Sequence, residues 1–193
     1  MSVCSWAFSC TPHPDKIVIS RIVIDMPATW PRLLAQRDAL RDLLATRLRA
    51  DASVEASPRV GSDSKAPGSR PGTHVLQVIW GPPSAPSLEV RLRPTRPGGA
   101  ELATTVAIAG DPAQSQDALA AFDIAWATLG RMRALDRGSD KRMVQALRDD
   151  DAHLQQFAIV RLGERRARSA VKPLCKLLGQ QTDTQMIYRI MGA

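Results

Sequence analysis

"KIVISRIVIDMPATWPRLLAQRDALRDLLATRLRAD", residues 16–51, changes its hydrophobic rhythm halfway along. Residues 16–25 are a β-branched run of strand length, and their nearly continuous hydrophobicity suggests a central strand. From Thr29 the spacing becomes helical. Thr29 stands where a helix cap is expected and Pro31 falls in the first turn. Leu33, Leu40, Leu43, Leu44 and Leu48 recur near a 3.6-residue period, with Arg37, Asp38 and Arg41 on the wet side. A strand feeding an amphipathic helix predicts layers of both kinds.

Working outward, residues 52–56 suit a short strand, and the Gly, Ser and Pro density of residues 57–72 predicts a flexible surface loop. Three further strands are expected at 74–80, 88–93 and 101–108, separated by the turn sequences "GPPSAPS" and "PTRPGG". The middle strand alternates Leu88, Val90 and Leu92 with Glu89, Arg91 and Arg93, as a strand with one wet face should. Leu119, Phe122, Trp126, Leu129 and Met132 then follow helical spacing, and Phe122 and Trp126 on this stripe read as core. After an irregular N-terminus at 1–14, residues 15–133 therefore give β-α-β-β-β-β-α, an α+β fold built as a two-layer α/β sandwich. This order, with its hydrophobic first strand, leucine-rich first helix and following strand, resembles the small α+β adaptor domains of bacterial envelope proteins, such as the domain preceding the propeller of Tol-system proteins. The resemblance implies a non-catalytic adaptor.

"RALDRGSDK", residues 133–141, shifts to charged and small residues and marks a domain boundary. Four short helices are expected beyond it, at about 140–148, 152–163, 168–178 and 183–192. Ile159, Val160, Arg161 and Leu162 superpose on Ile187, Tyr188, Arg189 and Ile190, a repeat of about 28 to 30 residues within the range of helical solenoids. Leu147 ends one helix, Asp149 to Asp151 make an acidic turn, "AIVRLG" opens the next pattern, and Val171, Leu174, Leu177 and Leu178 line the one after. In these features residues 140–193 resemble short HEAT-like repeats of the phycobilisome-lyase type, which implies a helical binding surface. About two repeats are present where roughly three usually make a stable array, so the expectation is that the α+β domain caps them, that another molecule does, self-association through the uncapped end included, or that the chain is a fragment of a longer protein. In the acidic turn, Asp149 or Asp151 is expected to cap a helix.

The chain carries a formal charge of +7 with a pI near 10.0 and 44% hydrophobic residues, a composition with ample apolar content for packed cores. Arg161, Arg165, Arg166, Arg168, Lys172 and Lys176 form a basic run in which Glu164 is the only acid. Positive charge at a helix C-terminus complements its dipole, which is the structural explanation of the run. Its functional explanation is a binding site, with Arg165, Arg166 and Arg168 projecting from one turn toward carboxylates or phosphates. The expected role is a non-enzymatic protein-binding or scaffolding module whose helical surface and basic patch meet an acidic protein partner; the alternative is a nucleic-acid-binding protein using the same patch.

Catalysis and cofactors find no foothold. Neither a GxxxxGK[ST] nor a GxGxxG loop occurs, and no HExxH pattern joins His13, His74 and His153. Cys4, Cys10 and Cys175 match no zinc spacing, and Cys175 among its leucines is expected to be a small buried thiol. No metal site, catalytic residue or cofactor is therefore assigned. No apolar run reaches the roughly 18 residues of a membrane helix, and the start "MSVCSWAFSC" lacks the basic region of a signal peptide. A cytoplasmic location is expected, or the envelope if the true start lies upstream.

Overall fold

The computed structural model describes residues 16–56, 73–95, 100–180 and 184–192. The irregular stretch 1–14, with Cys4, Cys10 and His13, lies outside the described residues, as do the loop 57–72, most of the turn "PTRPGG" and the side chain of Leu33. Five strands form one mixed sheet: β1 (Ile17–Asp25), β2 (Val54–Ala56), β3 (Thr73–Trp80), β4 (Ser87–Pro94) and β5 (Leu102–Ala107). Their spatial order is β2-β1-β3-β4-β5. β1 is parallel to both β2 and β3, while β3, β4 and β5 run antiparallel. The continuous hydrophobicity of β1 thus matches an interior position. With α1 (Pro31–Ala50) between β1 and β2 and α2 (Ser115–Asp136) after β5, the α+β order is the one expected.

The two helices share one face of the sheet, α1 over β1 and β2 and α2 over β4 and β5. Ile19, Leu76, Val78, Leu88, Val90 and Leu92 point under them and are buried. The other face carries the alternating charges: Arg91 meets Glu89 at 2.8 Å and Arg93 meets Glu101 at 3.1 Å. Helix α1 departs from the expected pattern twice. Trp30, not Thr29, stands at its start, and no side chain caps it; the Trp30 indole instead donates to the Gly81 carbonyl at 3.1 Å. Leu40, Leu44 and Leu48 make the buried stripe at i, i+4 spacing, which leaves Leu43, about 100° away from Leu44, 43% exposed.

Asp51 joins three elements at the end of α1. Its carboxylate accepts from the Ser53 backbone and hydroxyl and from the Trp126 indole on α2, at 2.7 to 2.8 Å. Burial pushes this carboxyl up, but the hydrogen bonds from Trp126 and Ser53 outweigh it and hold the group below its ordinary value. Arg47 and Asp123 add a paired bond between the same two helices. Phe122 and Trp126 stack on one another at 6.0 Å within this core, as their spacing required.

Four helices follow: α3 (Asp140–Ala146), α4 (Ala152–Glu164), α5 (Val171–Leu178) and α6 (Thr184–Gly192), with a 3-10 turn, Arg168–Ala170, leading into α5. Helix α3 packs on α4 and α4 on α6, while the 3-10 turn lies against α3 and α5 against α6. Met143, Ala158, Ile159, Leu162, Met186 and Ile190 share their core. Leu154 of α4 is buried in the sheet core, and Leu135 of α2 packs on both cores.

Candidate basic surface on the helical pairs

The turn between α4 and α5 is built by hydrogen bonds that a helix end leaves over. The Ala167 amide donates to the Leu162 carbonyl at 3.0 Å and the Arg166 amide to the Gly163 carbonyl at 2.9 Å. These bonds close a Schellman turn whose central residue is left-handed, and Arg166 occupies it with φ of 51°. Glycine is the usual occupant, because a side chain there costs about 1–2 kcal/mol. An arginine is thereby held at the tip of the turn.

Below the turn, the basic run divides into two groups. Arg161 is inside: its side chain is 16% exposed, its Nε donates to Asp136 at 3.1 Å, and it also pairs with Glu164. Its guanidinium lies over the Phe157 ring, 5.4 Å from the centroid. Arg165 reaches back to the end of α2 rather than projecting from the turn. It donates to the Gly138 carbonyl at 3.1 Å and to the Asp136 carbonyl, and pairs with Asp140 at 3.4 Å. Both arginines therefore anchor α4 to the α2–α3 junction. The acids that hold them, Asp136 and Asp140, are some 25 residues away in sequence, and a linear reading of the run leaves them out.

Arg166, Arg168, Lys172 and Lys176 form the second group. All four are exposed, and among the described residues none of them enters an ion pair. From residue 165 to 180 the sequence contains no acid, so nothing local neutralises this edge. Val171, 60% exposed, sits at its start. Cys175 is also exposed, contrary to the expected buried thiol. Leu174, Leu177 and Leu178 occupy the inner arc of α5 at i, i+3, i+4 spacing, and Cys175 lies one step round from Leu174, above Val171 on the outer side.

The acidic turn before α4 serves structure. Asp151 caps the helix by accepting from the His153 amide at 3.0 Å, and Asp149 accepts from the Asp151 amide at 3.0 Å. Arg131 of α2 reaches both carboxylates, Asp149 at 2.7 Å and Asp151 at 3.4 Å. The backbone bond from Asp151, opposed by desolvation and reinforced by Arg131, holds the Asp149 carboxyl below its ordinary value. Among the described residues no group of three or more His, Cys, Asp or Glu is placed to hold a metal ion. Among the same residues no helix is long and apolar enough to cross a membrane. Comparison of the chain with protein-family models and with curated proteins found no match.

Proposed function

We propose that the chain is a protein-binding module that docks an acidic partner on the exposed edge formed by Arg166, Arg168, Lys172 and Lys176. The observation that carries this reading is the division of the basic run. Arg161 and Arg165 have partners inside the molecule, whereas the other four cations stand exposed and unpaired among the described residues. Internal ion pairs account for the first pair; the helix dipole favours Arg166 past the end of α4 and Lys176 in the last turn of α5, but it disfavours Lys172 in the first turn of α5, and among the described residues no ion pair holds any of the four. The left-handed Arg166 adds support, since a residue kept in a costly conformation at a turn tip points to a role beyond folding. Exposed apolar side chains, Val171 next to Lys172 on α5 and Tyr188 and Met191 on α6, suit a protein partner better than a phosphate backbone. HEAT-like repeat packing of α3 to α6 belongs to the same proposal, supported by the packing of α3 on α4 and of α4 on α6.

The test is affinity capture from a cell lysate with and without nuclease, beside a variant carrying R166E, R168E, K172E and K176E. A discrete protein that survives nuclease and is lost from the variant is the expected result. Captured material that disappears with nuclease would overturn the reading in favour of nucleic-acid binding.

A further inference from the structure

Superposing α4 on α6 with the 28-residue offset shows what the last helix lacks. Ala158 and Met186 are both buried, Leu162 and Ile190 are both buried, and Val160 and Tyr188 are both exposed. Ile159 and Ile187 break the match: Ile159 is 0% exposed, while Ile187 is only half-buried. Ile159 is sealed in the core that Met186 and Ile190 of α6 complete. Among the described residues no helix covers α6 in turn: Ile187 stays half-buried and Met191, on the same side, is 69% exposed, while Tyr188 at 70%, like Val160, stands at the outer edge of that face. Arg189 bonds Gln156 of α4, and Met191, two residues further on, stands about 160° round the helix from it. The bare apolar arc of α6 thus faces away from α4.

We propose that the face of the α5–α6 pair turned away from α3 and α4 seats one further amphipathic helix, carried by a partner protein. Apolar side chains of that helix cover Val171, Ile187, Tyr188 and Met191, and acidic side chains on its flank meet Lys172 and Lys176. The inference rests on the protein-binding reading above and names the class of partner. A helix is the occupant because the chain itself covers the equivalent face of α4 with one, α6, through an apolar pair at i, i+4 spacing. An acidic helix is favoured by charge: α5 carries Lys172 and Lys176, α6 carries Arg189, and neither helix has an acid. A second copy of this chain would bring those cations against one another.

The probe is a fluorescein-labelled peptide about 16 residues long, roughly four helical turns, with leucines on one face and glutamates on both flanks. Controls are a scrambled peptide of the same composition and one with lysine for every glutamate. Binding is read by anisotropy, and its place by the alkylation rate of Cys175, which follows Val171 by one turn on the exposed side of α5. Saturable binding that slows alkylation of Cys175 is expected, weakened about tenfold or more by M191E and by K172E with K176E, as for a central apolar anchor and its charged rim. Y188K serves as a second apolar variant, and the urea midpoint of each variant shows that the fold is kept. Equal binding of the scrambled peptide, indifference to M191E and Y188K, or absence of binding would overturn the proposal. So would a chain that sediments as a dimer in a Met191-dependent way, or protection of Cys175 by anionic phosphatidylglycerol vesicles and not by the peptide. If the peptide fails while the captured lysate protein is still lost from the charge variant, the helix seat falls and the protein-binding reading stands.

Discussion

Arg166 shows how one residue can follow and defy its local rules together. The turn around it is closed by the bonds expected of a helix end, yet its φ of 51° belongs to glycine. R166G is expected to leave stability unchanged or raise it by up to about 1 kcal/mol, because relief of the left-handed strain is partly offset by unfolded-state entropy. A urea unfolding curve measures this, and a clear loss of stability would mean that the Arg166 side chain holds the turn. The sequence identified the basic run and its place at the end of a helix, but not which arginines are engaged. That depends on Asp136 and Asp140, which only the folded chain brings to Arg161 and Arg165. The Cys175 reading failed for a simpler reason. Neighbouring leucines in sequence suggested burial, while the 100° step of the helix turned the thiol outward.

At the scale of elements, the strand and helix order was legible because each element keeps one clear period. The alternation of β4 and the i, i+4 stripe of Leu40, Leu44 and Leu48 both survive in the structure. Where two leucines stood side by side, at Leu43 and Leu44, the period alone did not choose which faces the sheet. The joints between elements were the least legible, since Asp51 and Asp149 look like ordinary turn residues until Trp126 and Arg131 reach them. Both carboxyls are held below their ordinary values, so their stabilising contribution is fully present above the unfolded carboxylate value of about pH 4. It is lost as pH falls from there through the lower folded values. In that acid window the chain is expected to lose stability on acidification, and D51N together with D149N should flatten the slope. Urea midpoints taken at steps across the window check this, and an unchanged slope in the double variant would contradict the assignment.

For the whole molecule, the sequence foretold a sheet layer followed by paired helices, but not the strand order β2-β1-β3-β4-β5. That order depends on which strands flank β1: its hydrophobicity pointed to an interior place, but no local pattern names β2 and β3 as its neighbours. Nor was it legible that α4 contributes Leu154 to the sheet core while its far end carries the Arg161 and Arg165 anchors. One end of that helix thus holds the molecule together, and the turn after it begins the exposed cationic edge. The most direct measurement is retention of a captured partner by two immobilised variants side by side, R161A with R165A against R166A, R168A, K172A and K176A, at a temperature where both remain folded. The first should retain the partner despite a lower unfolding midpoint, and the second should lose it with its midpoint unchanged. The reverse pattern, partner lost with the anchors and kept without the exposed cations, would contradict the division of the basic run into structural and binding halves.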